Sequence, residues 1–574
     1  MTKKINIVIN NKKVACLKDQ TVLEVAKENE IDIPALCFHS DLNIKSNCRL
    51  CVVEIKAKKG VHTACSTKVE PEMEIITNSP KIRKIRKINL ELILAQHCEK
   101  DTDCIQKFNC QLLNLAKKYK VRTDRFFDRK KDYPSYPLGP SLVFDSSKCI
   151  DCRNCVDVCE KQGVNFLEIK KRENLFQVLP SKDIYKDCIY CGQCIVHCPT
   201  GAFKTVRQIE VVEELLQDKE TSVIFQFAPS IRTSIGEEFN LPYGLVVTEK
   251  LVAGIKKLGA DKVFDVSVGA DFTTFEEAKE LIERLEGNKN LPMLTSCCPS
   301  WVKFVEFYYP EFIPFLTSVR SPHIILGGLI KTFWAEKAKI DPKKVTVVSI
   351  MPCVSKKYEI QREELKINNL KPVDYVLTTR ELACLFIKHK IDLKKIVPKK
   401  ADDPLGVPSG AGVIYGVSGG VMESALRTAY ERLTKKNLPK VRFEKVKGME
   451  DAKEATIKIK DRLVKIAVVN GIGNAKKILE KLKENPKLYE YIEIMSCFGG
   501  CIGGGGQPVP VDDKIRKKRA EALYQIDAKK EIRCAHESPV VKEVYREFFN
   551  SKEKIHCVCH TKFLRKKSRE VKIH

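Results

Sequence analysis

The residues of this chain best suited to chemistry are its cysteines. There are 25 of them in 574 residues, many at Cys-x-x-Cys spacing. In a long chain with no visible export signal, such bunching favours metal over disulfides. The most specific group reads Cys149-x2-Cys152-x2-Cys155-x3-Cys159, then Cys188-x2-Cys191-x2-Cys194-x3-Cys198-Pro199. Three thiolates at this spacing wrap one [4Fe–4S] cube, and the fourth cysteine of each run crosses to the other cluster. The spacing therefore assigns Cys149, Cys152, Cys155 and Cys198 to one cluster, and Cys188, Cys191, Cys194 and Cys159 to a second. Zinc is the plainer alternative, but the paired runs disfavour it. The first run carries Glu160 where the second has its trailing proline. Upstream, Cys37, Cys48-x2-Cys51 and Cys65 supply four thiolates with one close pair, which suits a [2Fe–2S] cluster.

A different kind of cysteine lies in the second half. Thr295-Ser296-Cys297-Cys298-Pro299, Met351-Pro352-Cys353, and Met495-Ser496-Cys497 with Cys501 beyond Gly499-Gly500 each follow a strand-like run. Open α/β sheets bind ligands beyond the carboxyl ends of their strands. Cys298, Cys353, Cys497 and Cys501 can thus converge on one site from three strand ends. Glycines continuing to Gly506 would let the backbone approach a bulky group closely. Buried core cysteines are the bland reading of each position taken singly, and three strand-end placements weigh against it. On a helix predicted over 274–286, Glu277, Glu280 and Arg284 share one face. Read from spacing alone, they are a solvated charged stripe.

The elements that must hold these residues divide the chain in four. Residues 1–79 alternate apolar and polar over Ile5 to Ile9, turn at Asn10-Asn11, and predict a helix from Thr21 to Glu30, a small β-rich unit. Ser79-Pro80 opens a helix that ends near His97, and a linker rich in Pro, Tyr and charge completes 80–140. Residues 141–208 form the compact cysteine module. From 209 to 574, strands predicted over 222–227, 262–268, 292–295, 345–350, 465–469 and 489–495 alternate with helices over 274–286, 324–337, 421–433 and 475–483, an α/β plan. The length itself requires several domains, and hydrophobic residues, 43% of the total, suffice for large cores. With no apolar run of about 18 residues and no signal-peptide block, a cytoplasmic protein without membrane spans is expected.

The formal net charge is +27. Each [4Fe–4S] cluster with its four thiolates removes about two of those positive units, so an excess remains. The basic residues are scattered without a nucleic-acid-binding motif, and an acidic electron carrier is the better partner. Gly471-Ile-Gly473 lacks the third glycine of a nicotinamide site. His556-Cys557-Val558-Cys559-His560 is too tightly spaced for a closed zinc site and is read as a structural tail. Cys16 is read as a buried apolar thiol, and Cys384 and Cys534 stay unassigned.

At the strand-end cysteines the chain resembles the catalytic domain of [FeFe]-hydrogenases. The motifs are Thr295-Ser296-Cys297-Cys298-Pro299, Met351-Pro352-Cys353-Val354-Ser355-Lys356-Lys357, and Glu493-Ile494-Met495-Ser496-Cys497-Phe498-Gly499-Gly500-Cys501. The Cys37–Cys65 group resembles the plant-type ferredoxin pattern with looser spacing, so the resemblance, to the large monomeric ferredoxin-dependent type, extends over nearly the whole chain. It implies a multidomain α+β protein: a plant-type ferredoxin-like β-grasp domain, a small His/Cys cluster domain, a bacterial 2[4Fe–4S] ferredoxin-like domain and a large α/β H-cluster domain. The implied activity is reversible reduction of protons to H2. The implied H-cluster is a cubane on Cys298, Cys353, Cys497 and Cys501, joined through Cys501 to a diiron unit with CO, cyanide and an amine-containing dithiolate. Cys297 would pass protons to that amine, Lys356 would donate to a cyanide, and Pro229, Ser230, Met351, Tyr415 and Met495 would line the pocket. Tyr415 stands where phenylalanine is usual, and Phe498 where histidine is common, which removes a hydrogen-bond donor near the cubane. The implied proton relay runs Arg284, Glu280, Thr317 (in place of serine), Glu277, Cys297.

The resemblance also implies a third accessory [4Fe–4S] cluster on His-x3-Cys-x2-Cys-x5-Cys. This chain reads His97-x3-Asp101-x2-Cys104-x5-Cys110. Either Asp101 ligates through oxygen, or Cys98 replaces it, or the cluster is lost. The implied partners are an acidic ferredoxin or flavodoxin and maturation proteins for the diiron unit. Two other readings compete: an electron-transfer or scaffold protein of the same fold without the diiron unit, and a component of a larger NADH-linked or redox-sensing complex.

Overall fold

The computed structural model describes residues 4–95, 110–122, 125–127, 130, 133–172, 175–439, 441–447, 449 and 451–572. In the N-terminal unit, Lys4–Ile9 and Lys12–Leu17 form a hairpin whose turn residues Asn10 and Asn11 both take positive φ. That backbone twist matches the twist of the paired strands, and asparagine tolerates it. Ile5, Ile7 and Ile9 alternate inward. Glu74–Ile76 lies parallel to the first strand and antiparallel to Val52–Ile55, closing a five-stranded sheet. The helix Val22–Glu28 crosses it, opened by a capping box of Thr21 and Glu24. This is the ferredoxin-like β-grasp.

The helix Pro80–Leu94 starts at the expected cap, Ser79. Its buried Arg86 fixes it to the first domain by donating to the carbonyls of Leu50 (2.9 Å) and Val52 (2.8 Å). In the dicluster module, two short helices, Asn154–Lys161 and Gln193–Val196, begin just after the second cysteine of each run, at the left-handed residues Arg153 and Gly192. The sequence repeat is thus a structural repeat.

The remaining chain is built on two sheets. One is wholly parallel, in the order Lys262–Asp265, Ser222–Phe227, Val345–Met351, Tyr375–Thr378. The other runs Met293–Leu294, Tyr491–Met495, Arg462–Asn470 in parallel and then Ala452–Ile459 and Glu444–Lys445 antiparallel. The inner strands are almost continuously buried, as expected of sheets covered on both faces. One boundary differs from expectation. Residues 266–268 are not strand, because the helix there spans Val266–Gly287, capped by Asp265 accepting from Ser267 N at 2.9 Å. Its first turns read as β-prone by residue type. They pack instead against the helix Pro322–Leu329, so closely that a Cβ on Gly269 would lie 2.1 Å from Pro322 O. Among the described residues, no helix is long and apolar enough to cross a membrane.

The dicluster module docks on the catalytic domain backbone to backbone. A Cβ on Gly505 would sit 2.8 Å from Gly192 Cα, and one on Gly473 would sit 2.2 Å from Lys161 O. Gln162 Nε2 donates to Ser496 O (2.9 Å) and Gln193 Nε2 to Gly503 O (3.1 Å), crossing the same seam. Because electron transfer weakens steeply with distance, this close approach is a functional constraint. Under the activity that the resemblance implies, Gly505→Ala is predicted to slow H2 formation driven by an external electron donor several-fold while leaving H2–D2O exchange, which needs no external electrons, near wild type. Equal loss of both, or of neither, in paired assays would count against the seam's role.

Candidate active site

Strand ends from both sheets meet at one cavity of about 80 Å³. From the first sheet, Ser222–Phe227 leads to Pro229 and Ser230, and Val345–Met351 leads to Cys353 and Lys356. From the second, Met293–Leu294 leads to Cys297 and Cys298, and Tyr491–Met495 to Cys497 and Cys501. All the pocket residues expected from sequence, Pro229, Ser230, Met351, Tyr415 and Met495, line this cavity together with those five cysteines and Lys356. Sequence reasoning placed the cysteines at strand ends but not on two separate sheets, since no local pattern says which strands share a sheet.

Burial pushes Cys353 and Cys501 up to about 12 and Cys497 well up, and the neighbouring thiols raise each further. Four thiols this close cannot ionise together unless a cation joins them. Glycines make the space: a Cβ on Gly504 would lie 2.2 Å from Pro352 O, and one on Gly500, at φ +92°, would lie 2.6 Å from Ser418 N. The hydroxyl of Ser230 is buried on the cavity wall with no hydrogen-bond partner among the described residues. A thiol-rich, glycine-cleared cavity with a spare polar donor fits a thiolate-held iron–sulfur group bearing polar ligands.

Lys356 Nζ donates to Glu359 Oε2 (2.7 Å) and to Cys297 O (3.1 Å), leaving its third donor for the cavity. Glu359 also binds His323 Nε2 at 2.6 Å. His323 lines the cavity, and burial holds its pKa down at about 4, so it stays neutral. It was missed in the sequence because a lone histidine carries no spacing signal. Tyr415 accepts from Thr274 Oγ1 at 2.9 Å. Phe498 is buried against His197, with Lys161 over its ring at 5.2 Å.

The expected charged stripe is not solvated. Glu277 is only 1% exposed, and burial pushes its carboxyl up to about 8, so it holds a proton at neutral pH. The Cys297 thiol is itself pushed well up, first by its desolvated surroundings and then by Glu277 whenever that carboxyl is ionised. Glu280 accepts from Thr317 Oγ1 at 2.9 Å and forms an ion pair with Arg284, which also donates to Phe315 O and Leu316 O. Among the described residues no hydrogen bond joins Thr317 to Glu277, whose carboxyl accepts instead from Tyr491 Oη at 3.1 Å. Sequence reasoning also missed Ser318, whose hydroxyl donates to Glu280 at 3.0 Å.

The accessory cysteines gather as their spacing suggests. Cys51 and Cys65 lie 3.3 Å apart, and Cys48 N donates to Cys37 Sγ at 3.4 Å. Cys152 and Cys155 interact electrostatically with Cys149 and Cys198, and Cys188 and Cys191 with Cys159. Cys191 is in turn felt by Cys497. Cys110 is buried in one apolar cluster with Leu36 and Leu50, against which Cys48 and Ile150 also pack. His97, Cys98, Asp101 and Cys104 lie outside the described residues. Cys16 is buried, with its thiol 3.8 Å from Ile5 O.

Comparison with known proteins agrees with this arrangement. Residues 221–505 match the model of the C-terminal domain of the iron only hydrogenase large subunit, and 513–566 match the iron hydrogenase small subunit. Residues 2–80 match a 2Fe-2S iron-sulfur cluster binding domain and 148–202 a 4Fe-4S dicluster domain. The chain is 38% identical to iron hydrogenase 1 of Clostridium pasteurianum, over 97% of this chain and 99% of that protein. It is 37% identical to the NADP-reducing hydrogenase subunit HndD of Solidesulfovibrio fructosivorans, over 98% and 99%. An apo variant of the [FeFe]-hydrogenase HydA1 from Chlamydomonas reinhardtii superposes with a TM-score of 0.58 at 35% identity, over 63% of this chain and 99% of that one. Similarity over almost the full length of two iron hydrogenases, with the cysteine signatures meeting at one cavity, places this chain in the iron-only, or [FeFe], hydrogenase family.

Proposed function

We propose that this hydrogenase takes electrons from a reduced acidic ferredoxin or flavodoxin in the cytoplasm and uses them to reduce protons reversibly to H2. The observation that carries the reading is the convergence of Cys298, Cys353, Cys497 and Cys501 on a cavity also lined by Cys297 and Lys356. A scaffold protein without a diiron unit has no need of the last two. The four thiolates would hold the cubane, with Cys501 bridging to the diiron unit that maturation proteins deliver. When bound, that unit supplies the redox chemistry joining protons with electrons. The chain supplies the rest. Lys356 offers a charged donor to an anionic ligand, Ser230 a neutral one, and the methionine and proline walls keep water out. Glu277, protonated at neutral pH, can reload Cys297, and Glu280 can reload Glu277.

Electrons would enter through the [2Fe–2S] cluster on Cys37, Cys48, Cys51 and Cys65. They would cross the accessory cluster of His97, Asp101, Cys104 and Cys110, then the clusters on Cys149, Cys152, Cys155, Cys198 and on Cys188, Cys191, Cys194, Cys159. The packing of Cys48 and Ile150 against the same apolar cluster as Cys110 is in keeping with that order, as is the nearness of Cys191 to Cys497. HndD, by its name, is a subunit of an NADP-reducing hydrogenase, so the donor is the part of this reading that the salt test below addresses.

Cys297→Ser and Glu277→Gln are each expected to keep full iron content and lose about 100-fold or more in H2 formation, since each removes a titratable step. Wild-type rates in both variants would remove the relay from this route. Ferredoxin-driven turnover should fall steeply between 0.1 and 1 M salt, where the Debye length drops from about 10 to 3 Å. A rate independent of salt would argue for another donor. At the accessory cluster, Asp101 is proposed as the oxygen ligand, lowering that cluster's potential. Cys98→Ala should then leave the iron content unchanged, and loss of a cluster's iron in Cys98→Ala but not in Asp101→Ala would identify Cys98 as the ligand.

A further inference from the structure

The tail motif that the iron–sulfur reading left over places a histidine within one hydroxyl of the proton relay. Ser318 Oγ, which donates to Glu280 Oε2 at 3.0 Å, lies 2.9 Å from His560 Nδ1. The other ring nitrogen, His560 Nε2, is 3.2 Å from Glu276 Oε2. Lys279 Nζ donates to Glu276 Oε1 at 2.6 Å, and Tyr545 Oη donates to the same oxygen. The His560 side chain is 17% exposed and that of Lys279 30%, whereas Glu276 is 6% exposed. An unbroken line of titratable and hydroxyl groups therefore leads from a partly exposed imidazole to Glu280.

We infer that His560 is a second proton inlet to Glu280, separate from the Arg284 end and acting through Ser318. The inference rests on the reading of Glu280 as a relay group. Protonated on both nitrogens, His560 passes its Nδ1 proton to Ser318 Oγ while Ser318 passes its own to Glu280 Oε2. One proton moves, and the neutral ring is recharged from water. For H2 oxidation the same transfers run in reverse.

The surroundings suit this role. Burial opposes ionisation of Glu276, but hydrogen bonds from His560, Lys279 and Tyr545 hold it down at about 2. It is therefore a fixed anion that orients the ring with Nε2 as donor and Nδ1 towards Ser318. The other charged or titratable groups facing the ring are Glu280 across Ser318, Arg320, whose Nε donates to His560 O at 2.6 Å, and His556, stacked at 5.6 Å. Pinning the tail does not require the side chain. The backbone already does so, with Thr561 N donating to Ser318 O (2.8 Å) and Arg320 N to Cys559 O (2.7 Å).

The test uses the full holoenzyme, with iron content checked in every variant. His560→Gln is expected to lower H2 formation about tenfold near pH 6, where an imidazole is charged, and less than twofold near pH 8.5. Arg284→Gln should not show this acid-side loss. A His560→Gln rate loss equal at both pH values, or no loss at either, would overturn the inference. Glu280→Gln separates the two levels. If it is slow at both pH values while His560→Gln is unaffected, only the inlet fails. If Glu280→Gln is itself at wild-type rate, the relay reading fails.

Discussion

Four thiols gathered at one cavity are the constraint around which this molecule is organised. Burial makes Cys353, Cys497 and Cys501 resist ionisation, and the charge of neighbouring thiols raises them further. Only a multivalent cationic core makes four thiolates stable there, and the protein must present them from fixed directions. It does so with strand ends, the stiffest points available. Cys353 comes from one sheet, and Cys298, Cys497 and Cys501 come from the other. The two-sheet architecture, the long helix Val266–Gly287 and the glycine-cleared loop around Gly500 and Gly504 all follow from bringing those ends together.

The same burial that suits the metal site creates a supply problem for protons and electrons. For protons, the answer is acidic side chains whose own burial keeps them protonated. Glu277 holds its proton to about 8 because it is buried, against the opposing effect of the hydrogen bond from Tyr491, while Glu280, nearer the surface, is paired with Arg284. For electrons, the answer is contact. The cysteine module meets the catalytic domain where two glycine backbones touch, Gly192 and Gly505, with Cys191 next to them. The two supplies reach the cavity from different elements, so a change in one need not disturb the other.

Much of this was legible in the sequence where chemistry forces spacing. Cys149 to Cys198 could be paired into clusters from intervals alone, because a cube fixes how far apart its ligands sit. Strand runs such as Val345–Met351 were legible because buried parallel strands are continuously apolar. Long-range placement was less so. The helix at Val266 begins with β-prone residues that tertiary packing overrules, and its start was read eight residues late. Glu277 looked like a surface charge, since i, i+3 spacing is the same for a wet face and a buried one. Ser318 and His560, 242 residues apart, share a hydrogen bond that no local pattern signals.

The central claim is that Cys298, Cys353, Cys497 and Cys501 would hold a cubane, and that the cavity they share with Cys297 and Lys356 would take a diiron unit. Infrared spectroscopy of the chain produced together with the maturation machinery tests it most directly, because CO and cyanide ligands absorb where protein does not. The account predicts sharp bands from both ligands, absent from the chain produced without that machinery. A fully matured sample with complete iron–sulfur clusters and no CO or cyanide bands would contradict it and leave an electron-transfer protein of the same fold.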